Sequence, residues 1–285
     1  MSTAANSHYF QSSDGLNIFY RDFGGQNDGT PVICLPGLTR NSRDFDDLAN
    51  YLSNRRRVIT IDFRGRGYSD YDVNWQNYHP LTYVADVWRL LDLLNIDRVI
   101  AVGTSLGGLC SMVMAAQQGE RMAGVVMNDI GPEINPVGIA RISEYTGRVP
   151  PVANWAEAAQ QTKELYGEWL PGLSDDDFMR MARRAFREIE NDVPRLDMDV
   201  NIGRAIREIG PQKGDPWELF AALQNVPVTL LWGVLSDILT EDIIERMAGE
   251  KPDLKVIPVA DRGHVPLLNE PESLAAMDAF LETVA

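Results

Sequence analysis

Short apolar runs rich in β-branched residues alternate with longer amphipathic stretches along most of this chain. The runs cover residues 32–35, 58–63, 99–103, 125–130, 228–232 and 255–259. Each is almost continuously apolar, the pattern of strands buried on both faces of a parallel sheet. Ahead of them, Tyr9-Phe10 and residues 16–20 flank Asp14-Gly15, a turn pair, and predict an antiparallel hairpin at one edge. Between the runs, residues 81–94 place Val84, Val87, Trp88, Leu91 and Leu94 close to a 3.6-residue repeat. A last helix beginning near Pro271 aligns Leu274, Met277, Phe280 and Leu281. The alternation predicts an α/β fold, a mostly parallel, twisted sheet of about eight strands covered by helices.

One interval breaks the rhythm. From Pro132 to Val226 there is no strong strand, but helical patterns occur at 155–166 and 175–189, punctuated by Pro150-Pro151, Pro171-Gly172, Pro194 and Pro211. We therefore expect a core made of residues 1–131 and 227–285, with a helical cap of residues 132–226 inserted between strands 6 and 7. Open parallel sheets bind ligands at the carboxyl ends of their strands, and the cap would roof that edge.

Composition narrows the function. Of 285 residues, 45% are hydrophobic and 24% charged, an ordinary globular balance. Lys and Arg number 26 against 41 Asp and Glu, a net charge of −15. Such a surface repels phosphate backbones and anionic lipid headgroups, which argues against nucleic-acid or membrane partners. Cys34 and Cys110 are too few for a disulfide framework or a thiolate metal site, and their apolar neighbours mark them as packed thiols. The N-terminal MSTAANSHYF lacks the pattern of a secretory leader, and the longest apolar-rich run, residues 226–235, is far below the ~20 residues that span a bilayer. The expectation is a soluble, cytoplasmic protein. There is no H-E-x-x-H, no cluster of His and Cys and no G-x-x-x-x-G-K-[ST], so no metal or cofactor is expected.

The sharpest local signal is Gly103-Thr-Ser-Leu-Gly107-Gly108 directly after a strand and before a helix. A strand-to-helix turn this tight strains the serine backbone and demands neighbours without side chains. It sets the Ser105 hydroxyl at a helix N-terminus, where backbone N–H groups can meet developing negative charge. A serine needs a general base, and only three histidines exist. His8 falls before the first strand and His79 in a polar loop ahead of Pro80. His264 follows the last strand, on the same sheet edge as Ser105, and is the base by elimination and placement. A carboxylate must then orient the imidazole. Asp237, in the loop after the 228–232 strand, is the favoured acid; Asp129, ending the preceding strand, is the alternative or a supporting neighbour. Two N–H donors are needed for the oxyanion: Leu106, just after the serine, and Leu38, in the Pro36-Gly37-Leu38 loop.

These pieces resemble the serine hydrolases of the α/β-hydrolase fold superfamily, in its capped esterase, lactonase and C–C hydrolase branch. The matching segments are Leu35-Pro-Gly-Leu, Asp62-Phe-Arg-Gly-Arg-Gly-Tyr-Ser, Gly103-Thr-Ser-Leu-Gly-Gly, Gly233…Asp237 and Gly263-His264, spread over almost the whole chain outside the cap. Many relatives carry His-Gly where this chain has Pro36-Gly37. The Asp62, Gly65 and Gly67 turn matches a structural feature of the family, not a dinucleotide site. The expected activity is hydrolysis of a small, apolar, ester-like substrate through an acyl-enzyme. The resemblance also admits C–C bond or lactone hydrolysis, cofactor-free dioxygenation using the His–Asp pair, and a slow-turnover receptor. Cap residues Tyr145, Trp155, Trp169 and Phe186 are candidates for the pocket wall. Arg40 and Arg43, beside the oxyanion loop, are candidates for an anion grip, with a solvated face favoured for both.

Overall fold

A computed structural model describes residues 5–24, 29–190, 193–209 and 215–284. The core strands are β1 (Asn6–Gln11), β2 (Asn17–Phe23), β3 (Val32–Leu35), β4 (Val58–Ile61), β5 (Val99–Thr104) and β6 (Met122–Asn128). An insertion carries the hairpin β7 (Phe186–Glu190) and β8 (Val193–Leu196), and the core resumes with β9 (Val228–Gly233) and β10 (Lys255–Val259). Helices α1 (Asp46–Leu52), α2 (Pro80–Leu93) and α3 (Leu106–Gln118) precede the insertion. Within it lie α4 (Pro136–Tyr145), α5 (Trp155–Tyr166), α6 (Asp175–Ala185), α7 (Asn201–Ile209) and α8 (Pro216–Ala221), and α9 (Glu241–Glu250) and α10 (Pro271–Thr283) follow.

Eight strands form one sheet in the order β1-β2-β4-β3-β5-β6-β9-β10. The β1/β2 and β2/β4 pairs are antiparallel and every later pair is parallel. The continuous apolar runs are explained by two cores, one per face. Ile33, Leu35, Ile59, Ala101 and Met127 point to the side covered by α2, α3, α8 and α9. Their sequence neighbours Val32, Cys34, Val58, Val102 and Val126 point to the side covered by α1 and α10. The hairpin predicted around Asp14-Gly15 is present, and the predicted strands and terminal helix fall within a few residues of the observed ones. His8, expected ahead of the first strand, sits inside β1 and stacks on Tyr20 at 5.2 Å.

The insertion departs from the expectation of helices alone. The helical pattern at 175–189 stops at Ala185, and Phe186 turns extended to start β7. Phe186 is buried among Val152, Ala158, Ala182 and Ala185, with Leu196 of β8 packed against them, so tertiary burial overrides the local period. Pro194 sits inside β8, a position tolerated in a two-stranded hairpin with free edges. Pro211 lies outside the described residues.

The chain after β8 is stitched to the loop after β4. Gly67 N–H donates to Asp197 O (3.0 Å) and Asp199 N–H to Gly65 O (2.7 Å). Gly67 has φ of +56°, and a Cβ there would meet Asp62 Oδ2 at 2.0 Å, which is why this turn carries glycine. Arg43 donates to the fully buried Asp197 carboxylate at 2.5 Å. Burial pushes Asp197 up to about 6 even though Arg43 and Arg187 pull it down. A raised acid means that the folded state holds the proton more tightly than the unfolded chain. Stability therefore rises as pH falls from about 6 towards the ordinary value of 3.8. Asp197→Asn cannot titrate, so its loss of melting temperature relative to wild type is expected to be larger at about pH 4.5 than at about pH 8. At most about 3 kcal/mol separates the two ends. Equal losses in thermal melts at both pH values would clear Asp197 of this role.

Candidate active site

Five loops meet at the carboxyl ends of β3, β5, β6, β9 and β10. Ser105 stands at the junction of β5 and α3 with φ of +49° and ψ of −111°. The three glycines around it are dictated by contact. A Cβ at Gly103 would lie 2.4 Å from the Gly107 carbonyl, one at Gly107 2.0 Å from Leu35 O, and one at Gly108 2.3 Å from Ile130 Cγ2. Asn128 holds the neighbouring loops: its carbonyl accepts from Ser105 N–H (3.0 Å), and its amide donates to Thr104 Oγ1 (3.1 Å) and Pro266 O (3.0 Å).

His264 Nε2 is 2.9 Å from Ser105 Oγ, and its Nδ1 is 2.8 Å from Asp129 Oδ2. The imidazole is 8% exposed and the aspartate side chain is wholly buried. Asp129 turns off the end of β6 with φ of +54°. Its Oδ1 accepts from Gly233 N–H (3.0 Å), and its Oδ2 also accepts from Ser236 Oγ (2.6 Å). The loop after β9 thus supplies donors to Asp129.

Asp237, the acid favoured from the sequence, is not at His264. It forms a bidentate ion pair with Arg141 of α4 at 2.6 and 2.8 Å. Burial works against the Arg141 charge, but the Asp237 carboxylate outweighs it and holds the guanidinium above its ordinary value. The reason for the exchange is one residue of register. Ser236 turns inwards to Asp129, so Asp237 turns towards the insertion, and Gly138 of α4 packs so closely that a Cβ would lie 2.4 Å from Asp237 O. Both aspartates satisfy the order serine, aspartate, histidine. The usable signals were the hydroxyl of Ser236 and the unclaimed Arg141, and neither declares its partner in one dimension.

Leu38 lines the cavity beside Ser105, and Leu106 opens α3. Among the described residues neither backbone N–H has a hydrogen-bond partner. The Leu38 carbonyl is taken by the buried Arg66, which steadies that loop. The cavity is an open cleft of about 850 Å³ of empty space counted out to its mouth, walled by Phe45, Ile142, Leu170, Met181 and Leu268 among others. Of the aromatic candidates, Tyr145 lines it and Phe186 lines a smaller adjoining cavity. Trp155 instead lies under Arg183, with 4.5 Å from guanidinium to ring. Trp169 packs under Arg141 and takes the Gly263 N–H on its carbonyl, so the insertion leans on the histidine loop. Tyr166 was missed in the sequence; it lines both cavities.

Arg40 and Arg43 are not on a solvated face. Arg40 pairs with Asp44 and Arg43 with Asp197, and their side chains are only 15% and 18% exposed. His79 caps α2 by accepting from Leu81 N–H at 3.2 Å. Cys34 and Cys110 are buried, and burial pushes both thiols up, Cys110 to about 12, so neither is a thiolate nucleophile. Among the described residues no helix is long and apolar enough to cross a membrane, and no group of three or more His, Cys, Asp and Glu gathers as for a metal.

Comparison with known proteins agrees with this architecture. The family model of the alpha/beta hydrolase fold matches residues 30–271. An α/β hydrolase crystal structure from Novosphingobium aromaticivorans is 38% identical with a TM-score of 0.94, covering 100% of both chains. The 3-hydroxybutyrate-oligomer hydrolase of Cupriavidus necator is 26% identical over 94% of each chain. The 2-(acetamidomethylene)succinate hydrolase of Mesorhizobium japonicum is 23% identical over 98% of this chain and 97% of its own. The chain belongs to the α/β-hydrolase fold family, and it is a hydrolase of that fold.

Proposed function

We propose that this hydrolase cleaves a carboxylic ester of a small, largely apolar substrate through an acyl-enzyme on Ser105. The reading is carried by one observation, the unbroken chain of contacts from Asp129 through His264 to Ser105. An ionised carboxylate only accepts, so the proton of a neutral imidazole sits on Nδ1 and Nε2 is free to accept from the serine hydroxyl. As Ser105 Oγ attacks the carbonyl carbon, its proton moves to Nε2, and the buried Asp129 stabilises the imidazolium. The carbonyl oxygen, now an anion, accepts from the free N–H groups of Leu38 and Leu106 at the start of α3. His264 then returns the proton to the departing alcohol. Water, deprotonated by the same nitrogen, releases the acid. Asp129 takes the role expected of Asp237, and residues 132–226 act as a cap whose Arg141–Asp237 pair docks it onto the core.

The relatives named for 3-hydroxybutyrate oligomers and for 2-(acetamidomethylene)succinate act, by those names, on derivatives of carboxylic acids, which supports an acyl substrate. The test is multiple-turnover hydrolysis of p-nitrophenyl acetate and butyrate, together with fluorophosphonate labelling mapped by peptide mass spectrometry. Turnover with the label on Ser105 is expected. Absence of both label and turnover would make the glycine-flanked turn a structural feature and end this reading.

A further inference from the structure

Two arginines stand on the wall of the cavity beside Ser105 in a strongly acidic molecule. The chain carries a net charge of −15, yet the charged side chains lining this cavity apart from His264 are Arg40, Arg184 and Asp44. Arg184 finds its own carboxylate, Asp47, outside the cavity at 2.8 Å. Arg40 closes the turn that begins at Gly37, with its N–H on Gly37 O at 3.2 Å, and a Cβ at Gly37 would stand 3.7 Å from Arg40 Cγ and 3.8 Å from Thr104. Its stem therefore runs beside the end of the strand that carries Ser105.

Only one edge of the Arg40 guanidinium is used. Nε and Nη2 donate to Asp44 at 2.7 and 2.6 Å, and Nη2 reaches Met181 O only at 3.5 Å. Nη1, with two hydrogens, has no hydrogen-bond partner among the described residues. Nη1 keeps solvent access on a side chain that lines the cavity, so a ligand oxygen can replace water there. Nη1 offers a charge-assisted hydrogen bond to one oxygen of a carboxylate. Tyr145 and Tyr166, whose rings pack edge to face at 6.5 Å, stand beside it and line both cavities. Burial, and then Tyr166, hold the Tyr145 phenol well above its ordinary value, so it remains a neutral O–H donor.

We propose that Arg40 receives a carboxylate of the substrate, so that the esters this enzyme prefers carry a free acid elsewhere on the chain. The proposal rests on the Ser105 hydrolase reading for its reaction, but not for its binding site. Two esters test it, mono-4-nitrophenyl adipate and its methyl-capped diester, which differ only in the charge at the far end. Wild type is expected to favour the acid in kcat/KM by about tenfold or more, the size of a charge-assisted hydrogen bond. In Arg40→Gln the ratio falls below about twofold, and Arg40→Lys, which keeps a cation facing Asp44 and so guards the fold, gives an intermediate ratio. A purely structural role for Arg40 would lower both rates and leave the ratio alone.

The same two esters are titrated calorimetrically against Ser105→Ala, which does not turn them over. A tighter Kd for the acid that is lost in Ser105→Ala with Arg40→Gln supports the site even if neither ester is hydrolysed. Equal hydrolysis of both esters by wild type, a ratio unchanged in both Arg40 variants, or equal Kd values overturns it while the serine chemistry stands.

Discussion

Ser105→Ala is expected to lower kcat on p-nitrophenyl butyrate by at least ~10³-fold while leaving the melting temperature close to that of wild type. The size follows from the role proposed for the hydroxyl, which is to form the covalent bond, and Ser105 is the residue whose hydroxyl meets His264 Nε2. Cys34 and Cys110 are buried thiols on or behind the sheet, and His264 Nε2 is already aimed at Oγ. The fold should survive because the elbow is made by the glycines. The close approaches of Gly103 and Gly107 to backbone, and of Gly108 to the Ile130 side chain, are left untouched by alanine at 105. Steady-state kinetics beside a thermal melt checks both halves. Activity near wild type would point to chemistry run by the His264–Asp129 pair alone, such as cofactor-free oxygenation.

The second large effect separates the two aspartates. Asp129→Asn is expected to cost ~10³- to 10⁴-fold in kcat, because an amide cannot accept all three of the hydrogen bonds that converge on the carboxylate. Gly233 N–H, Ser236 O–H and His264 Nδ1–H all donate to Asp129. An amide nitrogen placed at His264 would drive the imidazole into the other tautomer, with its proton on Nε2 and no base facing Ser105. Asp237→Asn is expected to leave kcat within about tenfold and to act on stability instead. It strips the partly buried Arg141 of its partner, a loss of about 1–3 kcal/mol once discounted for partial exposure. Side-by-side kcat and melting curves for the two variants decide the matter. A larger catalytic loss in Asp237→Asn would return the orienting role to that residue.

That pair of aspartates also marks where one-dimensional reading runs out. The parallel sheet was legible because each core strand alternates its side chains between two apolar layers, leaving a continuous run in the sequence. Ser105 was legible because the turn that exposes it requires glycines at fixed offsets, and His264 because so few histidines compete. These are local demands, set by backbone sterics and by composition. The insertion was legible as a break in rhythm, but not in detail. Phe186 follows a helical pattern and nevertheless becomes a strand, since its burial against Val152 and Ala158 is decided by residues some thirty positions away.

The acid was undecidable for the same reason. Asp129 and Asp237 both end up at the carboxyl edge of the sheet, on adjacent strands β6 and β9, and both precede His264. What separates them is which one meets donors and which one meets Arg141, a matter of side-chain direction in the loops that follow β6 and β9. Arg40 follows suit, since its position beside the Gly37 turn is local but which of its nitrogens is left unpaired depends on Asp44 and Met181. By itself the sequence determined the parallel sheet and singled out Ser105 and His264 as the proposed nucleophile and base, because each rests on local spacing or composition. Only the tertiary structure decided which carboxylate meets His264, the Arg141–Asp237 pair and the pairing of Arg40, because those depend on distances between chain segments that no local pattern encodes.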